Sequence, residues 1–467
     1  MPIKLLSRDE VKSLTDRALA ASAAVGQPDD VRVNVQSGWT GNTRFAGGEI
    51  TTAGGSTDTT VAITSSFGRR TAAATTNLLD DASLRRTAEL SQRLAKLSPE
   101  DPEALPTLGA QPVGTIASAY AERTADLTPE ARALAVQRVL DGARSAAGDL
   151  GNDLFVAGYL EANAGVAQAV ATSRGLFAYH ASSDVTLSTT ARTPDGTGSG
   201  YAVAGARDWS LVDPAELGRR AARKAVASRN PQAIEPGQYT VVLEPQAVAD
   251  LISQLPGSFQ ARAAEEGRSP FSKKGGGTKV GERIADPRVT LFSDPTDPDL
   301  LGQPFDAEGL PIGRTVLIDN GVLKDLVYSR YWAQRRGVAP TGGAATFGGF
   351  GGGGGGIAGG LKMAGGSKSV DELIAGTERG VLVTHFFYIR FLDQRTVMVT
   401  GLTRDGTFLI EKGKVTRPLK NFRFNESPLF MLNKIDDLGR AERVRAGMVV
   451  PSLRVRDFNF SSLSDAV

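Results

Sequence analysis

The rhythm of apolar and polar positions changes along the chain and divides it into three parts. In the first, residues 8–25 set Val11, Leu14 and Ala18 at helical spacing, whereas "DVRVNVQSG" alternates Val31, Val33 and Val35 with polar residues. The first rhythm suits one buried face of a helix and the second a half-buried strand. "TRFAGGEITTAGG" and "TTVAITSSFGRRTAAATTN" continue as short strands broken at glycine turns. A helix over "DASLRRTAELSQRLAKL" comes next, with Asp80 or Asp81 as its cap and Leu90, Leu94 and Leu97 as its inward stripe. Residues 98–114, rich in proline and polar side chains, read as a linker.

The second part opens on Thr128-Pro129-Glu130, a Thr cap with proline at the first helical position, and its helix runs to about Ala147. Three strand-like stretches follow, "LFVAGYLEANAGVAQAVATS", "LFAYHASSDVTLSTTART" and "GYAVAGARDWS", and then the helix "DPAELGRRAARKAVAS". After a second linker, "RNPQAIEPGQ", the third part begins with the strand "QYTVVLEP". A helix there carries Val248, Leu251, Ile252 and Leu255 on one stripe and is interrupted at Pro256-Gly257. Asn320-Gly321 marks a hairpin. "VLVTHFFYIRFLD", "RTVMVTGL" and "TFLIEKGKV" read as strands, the last two joined by a hairpin turn at Arg404-Asp405-Gly406. The expected fold class is α+β, with a small N-terminal α/β domain (1–110), a middle α/β domain (111–232) and a large β-rich C-terminal domain (233–467). The glycine-rich stretch 341–366 reads as a surface loop or a flap over a cleft. It lacks the strand and helix that a nucleotide fingerprint requires on either side.

Composition narrows the chemistry. Net charge is +2 from 53 basic and 51 acidic residues, which gives no footprint for nucleic acid or an anionic membrane. No signal-peptide core and no apolar run of about 18 residues is present, so the expected location is the cytoplasm. Cysteine is absent, which excludes disulfides, thiolate nucleophiles and thiolate metal ligands. Two histidines remain, His180 and His385, against the three or four ligands of most zinc sites. His180 lies on a strand and reads as structural, and Glu265-Glu266 reads as a solvated helix end. No Ser/His/Asp order and no Ser-x-x-Lys stands out. The residues singled out for contact with substrate or partner are His385, Arg404, Asp405, Asn421, Arg423 and Asn425.

Four stretches carry a family resemblance. They are "TRFAGGEIT" with "GRRTAAATTNLLDDASL", "PFDAEGLPIGRTVLIDNGVLKDLVYSRYWAQRRGVAPTGG", "KMAGGSKSVDELIAGTERGVLVTHFFYIRFLD" and "VTGLTRDGTFLIEKGKVTRPLKNFRFNESP". In this order they resemble the TldD/PmbA family of modulator-of-gyrase proteins. The resemblance implies three domains, zinc-dependent proteolysis of small or unfolded peptides, and a dimer that often pairs a TldD-type catalytic chain with a TldE (PmbA)-type chain. It also implies a helix bearing His-Glu-x-x-x-His and a late cysteine as zinc ligands. Here that motif aligns with Ile252, Ser253 and Gly257, and no cysteine exists. The expectation is therefore a TldE-like chain with no catalytic or metal residues of its own. Zinc would belong to a TldD-like partner, and a homodimer is the other assembly. Two alternatives stand beside it: a stand-alone peptidase holding metal at His385, and a homodimeric peptide-binding protein without hydrolysis.

Overall fold

The computed structural model describes residues 5–342, 357 and 359–464. Most of the expected glycine-rich loop, residues 343–356 and 358, lies outside the described residues. Helices and sheets mix as α+β.

Alternation runs unbroken through the first two parts, and it produces one sheet. Its strands are β1 (Asp30–Ala46), β2 (Glu49–Phe67), β3 (Arg70–Thr76), β4 (Phe155–Thr172), β5 (Phe177–Arg192) and β6 (Ser199–Ala206), in the order β3-β2-β1-β4-β5-β6. Every neighbouring pair in this sheet is antiparallel. Residues 98–114 are irregular but bonded down: Thr107 Oγ1 donates to Asp30 Oδ1 at 2.8 Å, and Thr172 Oγ1 donates to the Leu108 carbonyl at 2.8 Å. The linker read from sequence is thus tied to the strand ends of this sheet.

Helices α1 (Arg8–Val25) and α2 (Asp81–Leu97) cover one end of this sheet. Beyond a single turn, α3 (Glu122–Ala125), helices α4 (Pro129–Ala146) and α5 (Pro214–Ala227) cover the other. The caps read from sequence are present: Asp80 accepts from Ser83 N, Thr128 from Ala131 N, and Asp213 from Ala215 N. The inward face of α2 is a correction. Leu84, Thr87, Ala88, Ser91 and Ala95 are buried, while Leu90, Leu94 and Leu97 face outward. Small residues win the inner face because α2 lies close on the sheet, with Ser91 hydrogen-bonded to Ser65 of β2 at 2.8 Å. α4 and α5 approach equally closely, and a Cβ at Gly218 would stand 2.0 Å from the Val139 carbonyl.

The third part builds a second, mixed sheet. Its strands are β7 (Gly237–Leu243), β8 (Leu291–Ser293), β9 (Thr315–Asp319), β10 (Val322–Leu323), β11 (Leu361–Met363), β12 (Arg379–Val383), β13 (Phe386–Asp393), β14 (Met398–Thr403), β15 (Thr407–Glu411), β16 (Lys414–Pro418), β17 (Asn421–Glu426), β18 (Ile435–Arg445) and β19 (Met448–Ser464). Strand β19 is the spine, pairing with β7, β11, β17 and β18 along its length. The helix α6 (Pro245–Ile252) leaves β7 and is buried throughout. The Asn320-Gly321 hairpin forms as read, both residues at positive φ. Arg207 ties the two sheets together, its three nitrogens donating to the carbonyls of Leu300, Ala119 and Gly302 at 2.9–3.1 Å.

Candidate functional site

The chemistry-bearing residues gather where two paired strands bend together. The sequence suggested one strand across "VLVTHFFYIRFLD" and a hairpin turn at 404–406. Instead the chain breaks at Thr384-His385 between β12 and β13, and at 404–406 between β14 and β15. β12 pairs with β15 and β13 with β14, so the two breaks lie opposite each other and the turn of the hairpin sits at 394–397. Asp405 (φ 57°) and Gly406 (φ 129°) do take the positive φ that Asp-Gly favours, but they serve a bend in a continuing ladder. Thr384 Oγ1 donates to the Asp405 carbonyl at 3.0 Å, and Arg404 N to the His385 carbonyl at 3.0 Å. A Cβ at Gly406 would come within 2.8 Å of Thr384 Oγ1, so the bend closes only around glycine.

Four elements point polar groups into this corner. His385 Nδ1 lies 2.9 Å from Asp405 Oδ2, and its Nε2 lies 3.9 Å from Asp250 Oδ2 on α6. Ser199 Oγ, at the start of β6, donates a short bond to Asp405 Oδ1. Tyr201 of β6 stacks on the His385 ring, centroids 4.4 Å apart. Asp250 accepts from Phe386 N at 3.0 Å and from Gln246 Nε2 at 2.6 Å. The imidazole is therefore held between two carboxylates, at the junction of the two sheets.

The carboxylates are tuned apart. Burial works to raise Asp405, but the hydrogen bond and charge of His385, with Ser199 and Arg404, outweigh it and hold this carboxyl below its usual range. Burial pushes Asp250 the other way, upward, against the opposing pull of His385, the Phe386 amide and Arg445. Burial, followed by the charge of Asp250, carries the Tyr201 hydroxyl up to about 12. The arrangement is not a nucleophilic triad: Ser199 bonds to the carboxylate, not to the imidazole that would take its proton.

Of the six residues singled out from sequence, His385 and Asp405 form the corner. Arg404 lies over the Phe387 ring, 4.3 Å from its centroid, just outside it. Register places Arg423 opposite Leu402 and Asn425 opposite Thr400, so both belong to the outer face of the sheet next to the corner. Asn421 Oδ1 accepts from Thr403 Oγ1 at 3.2 Å and from Thr407 Oγ1 at 3.1 Å, tying β17 to the bend. Sequence reading missed Asp250, Ser199 and Tyr201. Asp250 was discoverable as the one carboxylate inside the apolar helix α6; the two β6 residues carried no such mark. His180, by contrast, is buried on β5 far along the first sheet, and burial, then the charge of Arg207, lowers its pKa to about 4.

The positions that the resemblance aligns with a zinc motif do not form a metal site. Ile252 is fully buried in the core, Ser253 Oγ donates to the Asp250 carbonyl at 2.8 Å, and Gly257 has no side chain. Among the described residues no three histidine or acidic side chains converge as a ligand set. The side chains present at these positions do not fit a zinc ion.

Comparison with known proteins agrees with this architecture. Three domain profiles of one family match in order: PmbA/TldA metallopeptidase domain 1 at residues 31–95, the central domain at 118–229 and the C-terminal domain at 236–462. A metalloprotease of Methanothermobacter thermautotrophicus is 30% identical over 242 residues, covering 50% of each chain. The metalloprotease TldD homolog of Haemophilus influenzae is 28% identical over 184 residues, covering 37% of each. The aligned region thus spans half or less of the length of these relatives. TldE from Thermococcus kodakarensis shares the fold, with a TM-score of 0.83 at 19% identity over 96% of this chain and 100% of that one. No helix of the described residues is long and apolar enough to cross a membrane. With the three profiles matching in order along its length, the chain belongs to the PmbA/TldD metallopeptidase family.

Proposed function

We propose that this chain is a TldE-like, non-catalytic subunit of a TldD/TldE-type metallopeptidase complex acting on small or unfolded peptides in the cytoplasm. One observation carries the reading. Of the positions where the family resemblance expects metal ligands, Ile252 is a core side chain at the end of α6, and Ser253 and Gly257 follow the helix and carry no imidazole. The carboxylate of α6, Asp250, is engaged by Phe386 N and Gln246. Such a helix supports a wall but presents no ligand. The zinc would then sit in a partner chain bearing His-Glu-x-x-x-His, and this subunit would complete the enclosure and hold peptide in extended form. The similarity to TldE at the level of fold supports that role.

A second reading, a stand-alone peptidase with metal at His385, is favoured by one arrangement. Nδ1 of His385 is fixed by Asp405 while Nε2 faces Asp250, as imidazole ligands are often oriented by a carboxylate behind them. Two ligands fall short of the usual three or more. Metal content of the purified chain after dialysis against a weak chelator separates the two. The subunit reading expects a small fraction of an equivalent of zinc, and zinc-dependent peptidase activity only with a His-Glu-x-x-x-His partner. Zinc close to one equivalent, lost in His385→Ala, would overturn it.

A further inference from the structure

Next to the corner, β13, β14 and β17 present an outer face whose composition is one-sided. Phe387 lies opposite Leu402, and Arg390 opposite Thr400, on the edge strand β13 and its neighbour. Arg423, one strand further, reaches Thr400 Oγ1 at 3.4 Å, while the Arg390 guanidinium donates to the Ile389 carbonyl at 3.0 Å. A third, Arg404, is stacked on Phe387. Arg390 lies over Tyr388 at 4.4 Å, and Tyr388 is itself held at a positive φ of 55° where β13 bulges. Phe387 is 42% exposed and Tyr388 60% exposed, large values for aromatic residues within a sheet. Among the described residues the one carboxylate on this face is Asp393, at the hairpin end of β13 opposite Met398, where it accepts from Arg395 N and Thr396 Oγ1; Glu426 points to the buried side with Lys434.

Among the described residues β13 pairs only with β14; on its other edge Phe386 N is taken by Asp250 of α6, and from Phe387 onward no strand pairs with that edge. A chain laid along that edge would send alternate side chains over this face. The arginines it meets are pre-ordered by ring stacking and hydrogen bonding, so less side-chain freedom is lost on binding. A second copy of the same edge would set arginine against arginine. Carboxylates fit the charge, and apolar side chains between them fit Phe387 and Leu402.

We propose that the β13–β14–β17 face docks an extended acidic peptide segment, adding strand to β13 with its carboxylates at Arg390, Arg404 and Arg423. The proposal rests on the peptide-handling part of the function proposed above and gives that peptide a charge. The test uses the full chain and two short fluorescent peptides, alternating Glu-Val and its Lys-Val twin, with binding read by anisotropy at low salt. The acidic peptide is expected to bind saturably, about tenfold or more tighter than its twin, and to weaken as salt is added. The double variant Arg390→Gln/Arg423→Gln should lose about tenfold, with each single variant losing about threefold, as for exposed ion pairs. These positions are exposed, so melting temperature should hold; if the double variant melts early, the single Arg423→Gln is read instead. Equal binding of both peptides, or unchanged binding by the variants, overturns the acidic preference and leaves peptide handling intact. Failure of both peptides to bind removes both ideas, whereas the zinc measurement bears on the subunit reading alone.

Discussion

The two sheets use the same alternation of side chains to opposite ends. In the first, β1 pairs with β2 and β4 over nearly its whole length, with isolated bulges, and from Val31 on its buried positions alternate with less buried ones. In the second, β13 shifts register twice against β14, β18 shifts three times against β19, and non-glycine residues at positive φ gather at Tyr388, Val397 and Asp405. Regular pairing gives a platform, and each departure from it re-aims a side chain. The corner at 384–385 and 404–406 is made entirely of such departures, and so is the place where His385 meets two carboxylates.

That contrast can be broken at the corner first. Asp405→Ala removes the partner of both His385 and Ser199 and a residue suited to positive φ, and should cost about 4 kcal/mol, as broken buried pairs do. Asp405→Asn keeps the backbone preference and should cost less; equal melting temperatures for Ala and wild type would show that the bend does not depend on this carboxylate.

Next in size is a pH effect in the regular sheet. His180 is buried neutral, its folded pKa of about 4 lying below the 6.5 of the unfolded chain. The unfolded state therefore binds the extra proton as pH falls below 6.5, and stability is lost progressively down to about pH 4, by about 3 kcal/mol in all. Melting temperature against pH should flatten over that window in His180→Gln; an unchanged slope would assign the acid sensitivity elsewhere. The smallest effect sharpens the packing of α2. Leu94→Ser should change stability by no more than about 0.5 kcal/mol, whereas Leu84→Ala should cost about 3 kcal/mol, because only Leu84 faces the sheet.

Much of the platform was legible. Val31, Val33 and Val35 marked β1, and Thr128-Pro129 and Asp213-Pro214 marked helix starts, because alternation and capping are local properties. The inner face of α2 was not, since leucine size suggests burial while, past Leu84, the inner face is filled by the smaller Thr87, Ala88, Ser91 and Ala95. The bend was half legible: Asp405-Gly406 announced positive φ, but which strands it joined depended on pairing between segments far apart in sequence. Asp250 and Ser199 meet His385 and Asp405 only through that pairing, and no local pattern could bring them together.

The spine strand has a kinetic consequence. β7 lies between β12 and β19, and Leu243 stands opposite Leu453. About 200 residues of intervening chain must therefore be brought to a close before this central ladder forms, an entropic cost met before any contact repays it. Apart from the β1–β4 pairing, the first sheet is assembled from strands adjacent in sequence. It should fold first and wait for the second, and during that interval the apolar strands β7 and β12 are the segments of the chain most exposed to aggregation.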